Sequence, residues 1–120
     1  MSRRHRLIDY LHHIAEAAQK IASYLEGLEQ SDFLEDQRTQ HAVVFNLIII
    51  GEAASKLLQS HAAFLDRHSS VPWNGMKGMR NRIAHGYFEI DLDVVWETAR
   101  TAVPELLAHL PAIIALAEAE

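Results

Sequence analysis

Within the first thirty positions Leu7, Leu11, Ile14, Ala18, Ile21, Leu25 and Leu28 are separated alternately by four and three residues. That spacing holds one stripe of a 3.6-residue helix on the same side for three heptads. It predicts a long amphipathic helix ending near Gly27, with a break at Gln30-Ser31-Asp32. Such a seam suits packing inside a bundle and a dimer interface equally. A second helix is predicted from about Asp36 to about Ser60, with Val43, Val44, Leu47, Ile48, Ile50, Ala54, Leu57 and Leu58 as its apolar positions. Its middle is apolar nearly all round, as expected of the central helix of a bundle. Glu52 sits in that stretch beside Gly51 and Ala53, where a carboxylate needs either a partner or a wet face.

The period fades from His61 to Gly75. Ser69-Ser70-Val71-Pro72 reads as a turn that seats Pro72 at the first position of a short helix carrying Met76, Met79 and Ile83 on one face. Gly86 would stop that helix, since glycine takes the left-handed conformation without strain. Asp91 is a good N-cap for a further helix with Leu92, Val95, Trp96, Ala99 and Val103. Pro104 and Pro111 would kink or restart it, and Ala112 to Glu120 would continue as a weaker helix. No stretch alternates with a two-residue period, so no sheet is expected. The expectation is one all-α domain over residues 1–120, an up-and-down bundle of four to five helices.

The chain has no cysteine, which excludes disulfides, thiolate nucleophiles and zinc–thiolate sites. None of the eight histidines pairs with another at i and i+4, and His12 and His13 point to different faces of a helix, so neither a metal nor another cofactor is expected. The basic start, Met1 to Arg6, is followed by an apolar stretch that Asp9, His12 and His13 interrupt, with no small-residue cleavage site after it. The longest apolar run, Ala42 to Ile50, contains Asn46 and is about half of what a bilayer crossing requires. A cytoplasmic protein with no membrane partner is the expectation.

The net charge of −5 argues against a nucleic-acid partner until its distribution is considered. Between Asp66 and Glu89 there is no acidic residue, while Arg67, Lys77, Arg80 and Arg82 fall inside that window. The remaining seven basic residues face sixteen acidic ones elsewhere. An anion would therefore bind in the window, with Lys77 and Arg82 as candidate RNA contacts.

Inside it lies Met79-Arg80-Asn81-Arg82-Ile83-Ala84-His85-Gly86-Tyr87. Arginine presents a planar fork of donors to phosphate oxygens, and histidine moves protons near neutral pH. Five positions along a helix is about 140° around its axis, so Arg80 and His85 share a face only if the helix ends between them or just after, which Gly86 provides. In the last turn His85 would also meet the negative end of the helix dipole, which suits an acid. On spacing alone the alternative stands that Lys77, Arg80 and Arg82 form a solvated face and His85 caps the helix.

The ordered set of Val71-Pro72-Trp73, Met79 through Phe88, Ile90-Asp91 and Val95-Trp96 closely resembles the HepT-like branch of the HEPN superfamily. Gly51-Glu52-Ala53 and Pro104-Glu105-Leu106 look like that branch too, so the resemblance covers most of the chain. The family signature is an Arg followed after four to six residues by a His, with a polar residue favoured straight after the Arg: here Arg80, Asn81 and His85. The branch adds a Tyr two residues beyond the His, which is Tyr87. The resemblance implies a HEPN-type helical bundle that dimerises so that two motifs line one cleft. It also implies a metal-independent endoribonuclease, the toxin of a type II toxin–antitoxin system. The RNA 2′-hydroxyl would attack the adjacent phosphorus, leaving a 2′,3′-cyclic phosphate and a 5′-hydroxyl. His85 would shuttle the proton, Arg80 would stabilise the charge developing on phosphate, and Asn81 would orient one of them. The implied partner is a cognate minimal nucleotidyltransferase antitoxin that silences the toxin by transferring AMP to Tyr87. The alternative is a non-catalytic HEPN module that docks such a nucleotidyltransferase. Trp73, beside Pro72, is expected to close the core rather than to stack on RNA bases.

Overall fold

The long apolar seam lies inside the protein. The computed structural model describes residues 2–120, without the side chains of Arg4 and Tyr87, and shows helices and turns with no strand among the described residues. Helix α1 (Arg3–Leu25) opens at Ser2, whose hydroxyl accepts the His5 N–H. Leu7, Leu11, Ile14, Ala18, Ile21 and Leu25 are all buried, with α1 set against the later helices Gln37–Ser60 and Val103–Ala119. Of the two uses the seam suited, the intramolecular one is realised, so it is not available to a second copy. The helix stops before Leu28, and the chain turns through Gly27 at a φ of 78°. Where a break was expected at Gln30-Ser31-Asp32, there is instead the first turn of a short helix, α2 (Gln30–Leu34). A reciprocal capping box between Glu29 and Asp32 holds it, and fully buried Phe33 anchors it.

Helix α3 (Gln37–Ser60) begins where the sequence places it, because the Asp36 carboxylate accepts both the N–H and the hydroxyl of Thr39. Val43, Leu47, Ile50, Ala54 and Leu57 are buried, and α3 packs on α1 and on the motif-bearing helix, which makes it central. By length and hydropathy alone α3 and the helix Leu92–Ala119 could each span a membrane, with half and a third of those windows buried inside the bundle. A further short helix, α4 (Ala62–Asp66), buries Phe64 and Leu65 in the stretch without a visible period.

Helix α5 (Trp73–His85) carries the motif. Pro72 is its N-cap rather than its first residue, and Trp73 is buried with its indole N–H donating to the His68 carbonyl at 3.1 Å, a core role. The expected left-handed stop at Gly86 is absent: its φ is −145°. The chain leaves α5 through a 3-10 turn (Tyr87–Glu89), closed by the Glu89 N–H on the Gly86 carbonyl at 2.9 Å, and this redirects the backbone without a positive φ. Asp91 then caps α6 (Leu92–Glu97) by accepting the N–H groups of Asp93 and Val94.

Neither proline restarts the helix. A π-helical turn (Thr98–Ala102) joins α6 directly to α7 (Val103–Ala119), and the Val103 N–H reaches the Thr98 carbonyl, five residues back. The wider turn lies just ahead of Pro104, whose ring would otherwise press on the carbonyl four residues earlier. Pro111 sits within α7 without ending it. The four long segments are thus α1, α3, α5 and the continuous α6–α7, in line with the expected four- to five-helix bundle.

Candidate active site

The site is built at the crossing of α3 and α5, and Gly51 makes that crossing close. A Cβ at position 51 would stand 2.2 Å from Arg80 Cβ and 2.7 Å from the Met76 carbonyl oxygen. Only a glycine lets the backbone of α3 meet α5 at this height. Arg80 is consequently pressed against α3, its side chain 20% exposed, and the residue after the glycine, Glu52, pairs with its Nη1. Arg80 Nε donates to Asn81 Oδ1 at 2.8 Å. The guanidinium is held from two sides. The sequence could not decide whether Glu52 faces water or a partner; its half-exposed carboxylate does both.

His85 is the last residue of α5 and exposed. Because the helix persists through it, the separation from Arg80 stays near that of an ideal helix, about 140° in rotation and about 7.5 Å in rise. No hydrogen bond joins His85 to Arg80 or Asn81 among the described residues. Within one chain, therefore, Arg80 and Asn81 are brought together and His85 stands apart at the helix end. Tyr87 follows in the 3-10 turn, and its side chain lies outside the described residues.

Lys77 is half-buried, one turn before Arg80. Arg82 lies on another flank of α5, its Nη2 3.4 Å from Met79 Sδ, and borders a hollow of about 150 Å³ lined also by Leu47, Thr98 and Leu106. It does not share the Arg80 surface. Arg67, the fourth cation of the basic window, pairs with Glu120 at 2.9 Å and lies over the Phe64 ring, away from the motif. Beside the C-terminal half of α5 a groove of about 530 Å³ runs between Val44, Phe45 and Ile48 on α3 and Ala84 and Phe88 beyond. Phe45 is 62% exposed and Phe88 87%. Among the described residues no group of three or more His, Asp or Glu side chains is gathered to hold a metal.

Two contributors were missed as such by sequence reasoning, Gly51 and Glu52. They stand in the segment that resembles the HepT-like branch, but the pairing with Arg80 spans 28 positions and has no local signature.

The family model described as Ribonuclease HepT-like matches residues 14–113 of the chain. A protein of Thermococcus cleftensis named "Probable ribonuclease HepT" is 39% identical over 106 residues, which cover 88% of this chain and 92% of that protein. A protein of Caldanaerobacter subterraneus, provisionally named an RNase, is 34% identical over 88% of this chain and 91% of its own length. Another of Methanocaldococcus jannaschii, also provisionally named an RNase, is 32% identical over 92% of this chain and 89% of its own. No solved structure matches the chain.

Proposed function

The chain belongs to the HepT-like ribonuclease family, and from that premise we propose that it is a metal-independent endoribonuclease, the cytoplasmic toxin of a type II toxin–antitoxin pair. The observation that carries this reading is the guanidinium of Arg80, fixed by Glu52 and Asn81 on a helix that ends in an exposed histidine. His85 takes the proton of an RNA 2′-hydroxyl as that oxygen bonds to the adjacent phosphorus. The bond from phosphorus to the 5′-oxygen breaks, and His85 returns a proton to the departing oxygen. Arg80 neutralises the charge that builds on the phosphoryl oxygens, while Asn81 keeps the guanidinium in plane. Lys77, one turn before Arg80, attracts the flanking backbone, while Arg82 adds only to the longer-range positive field from its other flank of the helix. The products are a 2′,3′-cyclic phosphate and a 5′-hydroxyl.

Arg80 and His85 stand apart within one chain, which favours a homodimer whose two motifs face one cleft, the Arg80 of one protomer working with the His85 of its partner. Silencing is by a cognate minimal nucleotidyltransferase that transfers AMP to Tyr87, setting a phosphate against the cationic motif in place of RNA. A second reading, a non-catalytic module that docks the nucleotidyltransferase, draws on the chain's net charge of −5, which is poor for RNA binding.

Purified protein incubated with RNA in excess EDTA distinguishes these. Cleavage with cyclic-phosphate ends is expected, abolished by His85→Ala and reduced about 100- to 1000-fold by Arg80→Ala, the loss typical of one oxyanion donor. Cleavage that needs a metal and leaves 3′-hydroxyl ends overturns the mechanism, and no cleavage under any condition favours the docking module.

A further inference from the structure

Glu52 has no place in the chemistry just described, yet it touches the residue on which that chemistry turns. Resting on the ribonuclease reading, we infer that Glu52 is a positioning residue: its carboxylate orients the Arg80 guanidinium so that the remaining N–H groups meet the RNA phosphate.

A guanidinium carries five N–H donors in a fixed fork. Asn81 takes the one on Nε and Glu52 accepts from Nη1, which leaves Nη2 and one hydrogen of Nη1 for an incoming anion. With both partners in place the plane of the fork cannot rotate about the last side-chain bonds, so its direction is set before substrate arrives. Gly51 and Glu52 act as a unit. The glycine brings Arg80 Cβ against α3, and the next residue along α3 is then within reach of its guanidinium.

Exposure argues for orientation over stability. The Glu52 side chain is 50% exposed and that of Arg80 20%. An ion pair on such a wet rim adds little to folding, so what it supplies is geometry. It also opposes substrate binding, because a carboxylate beside the guanidinium repels phosphate. Glu52 therefore weakens ground-state attraction while improving alignment in the transition state, and the two effects separate in kinetics.

The test compares wild type with Glu52→Ala and Glu52→Gln. Glu52→Ala is expected to lower kcat about tenfold or more, as a misaligned group does, with KM unchanged or lower. Glu52→Gln keeps an acceptor oxygen and is expected to hold kcat within about threefold of wild type. Both should melt close to wild type, since half-exposed Glu52 leaves no cavity on truncation. An independent readout is the Nε–H resonance of Arg80 in nitrogen–proton NMR, identified by its loss in Arg80→Lys. It should be sharp in wild type and Glu52→Gln and broadened in Glu52→Ala. It should shift on titration with inorganic phosphate in the first two. An unchanged kcat in Glu52→Ala, a kcat that rises as KM falls, or an Arg80 resonance indifferent to the substitution overturns the inference. If wild type cleaves no RNA while the resonance and its phosphate response behave as stated, the ribonuclease reading fails and the orientation of Arg80 by Glu52 stands.

Discussion

His61 and His85 occupy opposite environments, and each makes a separate prediction. His61 ends α3 with 6% exposure, its Nε2 lacking a hydrogen bond, in a hollow it shares with Arg3 and Glu120. Burial, and after it the charges of Arg3 and Arg6, holds its pKa below the ordinary histidine value of 6.5. The unfolded chain then binds a proton that the folded chain resists, so the stability linked to His61 is full above pH 6.5 and is lost as pH falls through the lowered value. Urea midpoints at pH 7.5 and 5.0 should differ less for His61→Leu than for wild type, and an equal difference would show that His61 does not contribute. His85 is exposed, so His85→Ala should change stability by less than about 0.5 kcal/mol while removing activity. Tyr87→Phe makes the complementary case. It keeps the ring and deletes the acceptor oxygen, and should leave an active nuclease that a cognate nucleotidyltransferase cannot silence. Intact-mass spectra should show no AMP-sized increase on the variant. Modification at another residue, or silencing of wild type without modification, would mean that the cleft is masked sterically.

Among the helices, the crossing of α3 and α5 leaves no room for a side chain at position 51. Gly51→Ala must push a methyl into Arg80 Cβ, fixed to the α5 backbone, and into the Met76 backbone carbonyl, neither of which can swing aside. Overpacking of this kind costs about 1–3 kcal/mol, and it also displaces Arg80 from Glu52. Thermal melts should fall accordingly, and residual cleavage by the folded fraction should fall further than the stability alone accounts for. A Gly51→Ala protein with wild-type activity would mean that α5 tolerates the shift and that its height on α3 does not matter. The elements themselves were legible to different degrees. Helices α1 and α3 show in the sequence because three heptads and more of apolar spacing outweigh any local ambiguity; Asp91 caps where it was expected to, and Asp36, read only as the start of its helix, caps it as well. Helices α2 and α4 did not show, since five residues complete barely more than one turn and establish no period. The π turn before Pro104 escaped for another reason: a proline announces a disturbance, and whether the backbone kinks, restarts or widens depends on what packs against it. Of the site, Arg80, Asn81 and His85 are adjacent enough to read as a motif, while the Glu52 contact is made only by the fold.

At the level of the whole molecule, the bundle measures 45 × 29 × 25 Å and has put its longest apolar seam inside. In the proposed homodimer the second copy therefore docks elsewhere. The groove flanked by Phe45 and Phe88 borders Ala84 near the end of α5, and packing two copies there would bring two His85-bearing ends together. The chain should sediment at micromolar concentration at twice its 13.6 kDa mass, with Phe45→Asp sedimenting as a helical monomer that no longer cleaves RNA. A sharper test uses two inactive proteins. If Arg80 and His85 act across a two-fold axis, a dimer of one Arg80→Ala chain and one His85→Ala chain contains one intact site, built from the Arg80 of the second chain and the His85 of the first, and one doubly damaged site. Random re-association of equal amounts makes half the dimers mixed, so about a quarter of wild-type activity should return. A site confined to one chain would leave every mixed dimer with two damaged sites and no recovery. Mixed dimers that form by mass spectrometry yet stay inactive would sink the shared-cleft arrangement, and His85 would then have to reach Arg80 of its own helix by unwinding the last turn of α5 at Gly86.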